Sequence, residues 1–137
     1  MTLVRCLLIL AAVGPLAGCS SRPGGGESAP PEYGLLQEVN ELLRAAAGAN
    51  RRPPARLADL DRYRTMFPRA YDAVKSGDVV VLWGAAQKGE GDAGKDEAVV
   101  AYEKNAPTQG GYVLLSAGTV KKVSAAEFAS APKAGKK

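Results

Sequence analysis

Apolar residues recur at helical spacing in the N-terminal third of the chain, and polar residues such as Asn40 lie between them on the opposite side of the predicted helix. Gly48 and Asn50 supply a stop, and the proline pair 53–54 prevents the helix from continuing. The apolar stripe consists of Leu35, Leu36, Val39, Leu42, Leu43 and Ala46. This pattern predicts a long amphipathic helix at the start of the folded part.

The hydrophobic pattern then changes to short runs typical of β-strands. Residues 79–83 (VVVLW), 98–102 (AVVAY), 111–115 (GYVLL) and 119–123 (TVKKV) are rich in β-branched and aromatic side chains, and turns containing glycine or asparagine separate them. Strands joined by short connections pair antiparallel. We therefore expect a four-stranded antiparallel meander.

Short helical turns are predicted between the long helix and the strands, at residues 56–60 and 68–75, and at the C-terminal end. There, Ser124 and Glu127 have the spacing of a capping box, which opens a helix carrying Phe128. An amphipathic helix needs an apolar surface to cover. The sequence thus predicts an α+β domain over residues 33–130, in which the long N-terminal helix packs on the four-stranded meander.

The N-terminus has the order of a secretory signal peptide: a basic start, an apolar run over residues 6–13, and small residues before Cys19. The sequence Leu16-Ala17-Gly18-Cys19 resembles the lipobox of bacterial lipoproteins. This resemblance implies that residues 1–18 are removed and that Cys19 becomes the lipidated first residue. It also implies a diacylglyceryl group on sulfur and an amide-linked acyl chain such as palmitate, which would hold the protein on the membrane.

Two alternatives compete with lipidation. The apolar run is too short for a retained transmembrane anchor, which takes roughly 20 residues, whereas a plain cleaved signal peptide would leave Cys19 as a free thiol. The lipoprotein interpretation places the protein in a bacterial cell envelope, facing the periplasm. Ser20 resembles the pattern that is forwarded to the outer membrane in cells with two membranes.

The segments on either side of the predicted domain lack apolar periodicity. Residues 19–32 combine the lipidated cysteine with a Ser/Pro/Gly-rich stretch, which predicts a flexible tether with a typical reach of about 20 Å. Residues 131–137 (APKAGKK) predict a basic, disordered tail. The chain is therefore expected to hold one small domain between two flexible ends.

Composition excludes several function classes. The chain has no histidine, which removes the commonest general base near neutral pH, the usual serine and cysteine triads and most zinc sites. A formal net charge of +4 is too small to point to nucleic acid. Cleavage leaves Cys19 as the single cysteine, so no disulfide is expected. These observations predict neither an enzyme nor a cofactor.

The folded part also resembles the globular part of type II secretion pseudopilins and other prepilin-like proteins. Those proteins carry a long helix followed by the pattern N-G-x-x-P-x-x-L-x-x-L, which Asn50, Pro54, Leu57 and Leu60 match, with Arg51 in place of the glycine. The closing sequence GGYVLLSAGTVKKVS is similar to their final hairpin. The resemblance covers about 90 residues and implies the fold. The lipobox replaces the long apolar helix of a pilin, so filament assembly through that helix is not implied.

The densest basic and aromatic stretch follows the predicted long helix. Arginine and aromatic residues are enriched at protein interfaces, so Arg51, Arg52 and Arg56 are the candidate partner-binding residues, with contact to anionic lipid as an alternative. Three further arginines and three aromatic residues follow them: Arg62, Tyr63, Arg64, Phe67, Arg69 and Tyr71. The aromatic spacing favours packing into the core over direct contact with a partner.

The loop between the first two predicted strands contains glycines and acids. Its G-x-G-x-x-G spelling at residues 89–94 precedes a strand instead of opening a helix, which argues against a dinucleotide site. Asp92, Asp96 and Glu97 are the candidate calcium ligands. Their spacing misses the EF-hand pattern and Lys95 lies among them, which favours a solvated connection.

Taken together, the sequence predicts a non-enzymatic, lipid-anchored envelope protein that binds a protein partner, with an accessory role in a secretion or pilus-like system as one form of this hypothesis. A passive structural envelope lipoprotein and a module that binds calcium or a small ligand are the alternatives.

Overall fold

The computed structural model describes residues 30–89 and 97–135, and this part of the chain combines helices with one antiparallel sheet. In chain order the elements are α1 (Pro31–Asn50), a 3₁₀ helix (Leu57–Tyr63), α2 (Pro68–Ser76), β1 (Val79–Val81), β2 (Val99–Glu103), α3 (Ala106–Gln109), β3 (Gly111–Leu115), β4 (Val120–Val123) and α4 (Ala125–Ser130). None of the helices in the described ranges is both long enough and apolar enough to cross a membrane.

The strands form the predicted meander in the order β1-β2-β3-β4, with every neighbouring pair antiparallel. The α+β class is therefore confirmed. The first strand is shorter than predicted because regular pairing ends at Val81, opposite Ala101. The turn predicted between β2 and β3 includes one short helix, α3.

Helix α1 spans 20 residues, and its apolar stripe faces the sheet. It begins at Pro31, two residues before the predicted start of the domain. One detail of the pattern was wrong: Asn40, assigned to the polar face, is buried. Its Oδ1 accepts hydrogen bonds from Gln87 Nε2 at 2.9 Å and Arg44 Nε at 3.3 Å, so burial is balanced by polar partners.

The sheet is covered on both faces. The larger core lies under α1 and α2 and includes the fully buried Leu36, Leu60 and Leu114. A second, smaller cluster forms around Val113 and Phe128, where α4 packs beside the sheet. The predicted capping box opens α4, since Glu127 N donates to Ser124 Oγ and Ser124 N donates to the Glu127 carboxylate.

The start of the C-terminal segment that we expected to be disordered makes backbone contacts with the sheet. Val99 N donates to Pro132 O at 2.8 Å, and Ala134 N donates to Val99 O at 2.8 Å. Lys133 Nζ donates to Ala131 O at 2.9 Å and lies over the Phe128 ring. Residues 132–134 thus run beside the beginning of β2, which the polar composition of this segment did not indicate.

Candidate partner-binding surface

The candidate surface begins where α1 ends. Arg51 follows the helix in the left-handed region, with φ 53° and ψ 24°. It is the single residue other than glycine with a positive φ among those that the structure describes. Arg51 and Arg52 are both exposed. Helix α1 is thus followed directly by two consecutive arginines, both of which are open to solvent.

The segment that joins α1 to α2, residues 51–69, holds most of the charge asymmetry of the protein. It contains six arginines, two aspartates and no lysine or glutamate, which gives it a net charge of +4. This equals the formal net charge of the whole chain, so positive and negative residues balance elsewhere. We refer to residues 51–69 as the arginine segment.

Buried residues hold the arginine segment against the domain. Leu60 is fully buried in the larger core, and Pro54, six residues earlier in the chain, is also buried. Pro54 O accepts a hydrogen bond from Gly84 N at 2.9 Å, which ties the segment to the turn that follows β1. The exposed arginines are therefore carried on an ordered backbone, which lowers the entropy cost of binding.

Asp59 organises the middle of the arginine segment. Its Oδ2 accepts from Ala55 N at 2.8 Å, and its Oδ1 lies 3.7 Å from Arg56 Nε. The hydrogen bond from Ala55 N, together with the charges of Arg56 and Arg52, lowers the pKa of Asp59 from its usual value. The carboxylate thus stays charged and orders the turn. Arg56 remains 78% exposed despite this contact.

The aromatic residues of the stretch pack inward, as their spacing favours. Tyr71 is buried, and its hydroxyl donates to Asp61 Oδ1 at 2.5 Å, which raises the pKa of Tyr71. Tyr63 and Phe67 are half-buried against the larger core. The Arg62 guanidinium lies 5.5 Å from the centre of the Tyr63 ring. The aromatic residues therefore pack toward the core, whereas the arginines of the same stretch stay exposed.

The other predicted site residues are placed as follows. Cys19, Asp92 and Asp96 lie outside the described residues. Glu97 is half-buried just before β2, and the described ranges contain no group of three acidic or cysteine side chains able to hold a metal ion.

Trp83 and Tyr102, which end two neighbouring predicted strands, pack in different clusters. Trp83 packs against the larger core, whereas Tyr102 packs on Phe128 in the smaller cluster, with ring centres 4.7 Å apart. Both residues therefore serve packing, in separate parts of the domain.

The sequence did not indicate a cleft of about 690 Å³ at the N-terminal end of α1. Tyr112 lies in its wall, 6.2 Å from Tyr33 between ring centres, and Tyr112 N donates to Glu103 Oε2 at 2.6 Å. Charged lining residues of both signs are Glu32, Asp78, Glu103, Lys104 and Lys122. They come from four separate parts of the chain, so no local motif could have identified the cleft.

Comparison with known proteins gives no match, since neither a protein-family model, nor a curated protein, nor a solved structure shows significant similarity to the chain.

Proposed function

We propose that the protein is a non-enzymatic, lipid-anchored component of a bacterial cell envelope that binds another envelope protein through Arg51, Arg52 and Arg56. The lipobox resemblance at Cys19 supports the anchor. The observation that carries partner binding is the arginine segment. It has a net charge of +4, and its arginines are exposed on an ordered backbone. Arginine at such positions suits bidentate recognition of carboxylates.

The length of α1 supports a role at a distance from the membrane. A helix of 20 residues spans about 30 Å at 1.5 Å per residue. The proposed tether joins the start of this helix, whereas Arg51 and Arg52 follow its end. The arginines are therefore far along the domain from the lipid attachment, where a second protein can reach them.

The pseudopilin resemblance supports an accessory role in a secretion or pilus-like system. Two of the residues that match the pattern, Pro54 and Leu60, are buried in this structure. The matched residues thus shape the connection that follows α1. In the resembled pattern a glycine stands at the position of Arg51, and the φ of Arg51 lies in the region that glycine favours.

Capture from intact cells tests this proposal. Cells carrying the wild-type protein or the triple variant Arg51→Glu, Arg52→Glu, Arg56→Glu are crosslinked and solubilised in detergent, and the captured proteins are quantified by mass spectrometry. We expect one reproducible partner that falls at least tenfold in the triple variant, because like charges now face the partner's acidic groups.

A second triple variant controls for net charge. Lys75, Lys104 and Lys121 are exposed and lie outside the arginine segment, so replacing all three by glutamate changes the charge equally. This variant should retain the partner. Capture of lipid and abundant membrane proteins alone, or equal loss in both variants, would contradict a specific site and favour a passive lipoprotein.

Arg51→Gly is expected to separate stability from binding. A left-handed conformation costs an ordinary residue roughly 1–2 kcal/mol, and the extra freedom of glycine in the unfolded chain offsets part of this. We therefore expect the free energy of unfolding to rise by about 0.5–1 kcal/mol, while partner capture falls. Urea denaturation and quantitative capture measure the two effects.

Two variants control the Arg51→Gly measurement. Asparagine tolerates the left-handed region. Arg51→Asn should therefore lose partner capture but gain less stability than Arg51→Gly. Arg52→Gly changes a residue that does not have a positive φ, so it should not stabilise the protein. If Arg51→Gly raises stability and leaves capture unchanged, Arg51 has no part in binding.

A further inference from the structure

Met66 stands out on the surface of the arginine segment. It is 67% exposed and is the one large hydrophobic side chain in the described ranges with such exposure. The turn that carries it is ordered, because Met66 N and Phe67 N both donate to Tyr63 O at 3.0 Å. The thioether is therefore presented to solvent from a fixed backbone.

Arginines flank Met66 on both sides. Arg62, Arg64 and Arg69 are all exposed, and the sequence from residue 62 to residue 71 contains no acidic residue. Asp61 and Asp72 stand just outside this stretch, and Asp61 accepts from the Tyr71 hydroxyl. Glu38 lies 3.9 Å from Arg69 and balances part of the charge of that arginine. We define Arg62, Arg64, Met66 and Arg69 as the Met66 patch.

Two aromatic residues lie close to Met66 in the chain. Its neighbour Phe67 and the ring of Tyr63 are half-buried and pack on the larger core. A partner side chain that covers Met66 would thus meet an apolar side chain on an ordered stretch that also carries three exposed arginines. Binding hot spots combine an apolar centre that becomes desolvated with surrounding groups that exclude water.

We propose that the Met66 patch binds an acidic protein segment in which an apolar side chain lies among carboxylates. This inference rests on the proposed function and specifies the chemistry of the partner. The guanidinium groups match carboxylates in a bidentate manner, and the flexible thioether adapts to an apolar side chain of variable shape.

The structure favours a protein segment over an anionic membrane. Helices that lie on membranes insert an extended apolar face along their length. Here one methionine extends from a tight turn between the 3₁₀ helix and α2, which offers too little apolar area to insert.

Two labelled peptides test the chemistry directly. One consists of ten glutamates with a central leucine, and the other has serine in place of the leucine. Each is titrated with the full-length, detergent-solubilised protein, and binding is followed by fluorescence anisotropy. We expect the leucine peptide to bind about fivefold to tenfold more tightly, as expected for partial burial of one apolar side chain.

Two variants assign this preference to the patch. Met66→Ser should remove the difference between the peptides, while Arg62→Gln with Arg64→Gln should weaken both. Met66 is exposed, so its replacement should leave the melting temperature unchanged. Binding of neither peptide, an unchanged preference in Met66→Ser, or binding only to phosphatidylglycerol vesicles would overturn the inference.

The cellular assay separates this inference from the proposed function. If capture requires Arg51, Arg52 and Arg56 but is unaffected by Met66→Ser, the proposed function stands and the inference about Met66 fails. If none of these variants changes capture, the proposed function fails.

Discussion

Leu60→Ala should lower the free energy of unfolding by about 2–5 kcal/mol, which is the usual cost of truncating a fully buried leucine. Leu60 is completely buried and is the one buried residue of its 3₁₀ helix. A short 3₁₀ helix has little stability of its own. Its attachment to the domain therefore depends on this side chain.

The same substitution should also weaken partner capture, although it leaves every arginine in place. Loosening the 3₁₀ helix would let the arginine segment move, and binding would then bear the entropy cost of ordering it. Urea denaturation measures the stability, and the crosslinking assay, carried out below the melting temperature of the variant, measures the capture.

Leu57→Ala is the matched control for Leu60→Ala. Leu57 begins the same helix but is only half-buried against the core, so its truncation should cost clearly less. If the two variants are equally destabilised, Leu60 is not the anchor of the segment. If Leu60→Ala is destabilised and captures the partner normally, order in the segment is not needed for binding.

The elements of the fold could be predicted because they follow from local patterns. The apolar stripe of α1, the β-branched runs and the Ser124–Glu127 capping box each act within a few residues. Strand order also followed, because consecutive strands usually lie side by side and the connection between β3 and β4 is short. The connection between β1 and β2 is long, so this pairing rests on the first of these tendencies.

What the sequence missed depends on contacts between distant residues. Asn40 looks like a surface residue of an amphipathic helix, but Gln87, 47 positions later, supplies its buried partner. Pro132 and Ala134 have a composition typical of a disordered tail, yet both bond to Val99. No local pattern contains these partners, so only the folded backbone could reveal them.

The candidate site could be predicted from the sequence only in part. The clustering of arginines could be read from the sequence, and so could the inward packing of the aromatic residues. Arginine itself does not favour the left-handed backbone of Arg51, so the one signal for it was the glycine that the resembled pattern has at this position. The exposure of Met66 could not be predicted, since methionine is more often buried.

Gly110→Ala should be the most damaging change outside the core, at about 3 kcal/mol or more. Gly110 has φ 79° and ψ 167°, a conformation that essentially only glycine adopts. A Cβ there would lie 2.7 Å from Val123 O and 3.1 Å from Ser124 Cα. Both are backbone atoms where β4 leads into α4, so the clash can be relieved only by a backbone shift that moves residue 110 away from them.

Gly77→Ala isolates the backbone cost from the clash. Gly77 has φ 83° and ψ 10°, and a Cβ at this position would meet nothing within 4 Å. Its replacement should cost only about 1 kcal/mol, from left-handed strain. If the two variants lose the same free energy of unfolding in urea, the clash with Val123 and Ser124 adds nothing to the cost of Gly110→Ala.

Gly110→Ala also complements Leu60→Ala as a test of the site. Gly110 lies beside the end of β4 and the start of α4, whereas the arginine segment is attached through the larger core. Below its melting temperature, Gly110→Ala should therefore capture the partner normally, despite a loss of stability similar to that of Leu60→Ala. If both variants lose capture in proportion to their stability, binding follows the folded fraction alone. If only Leu60→Ala loses it, binding depends on local order in the arginine segment.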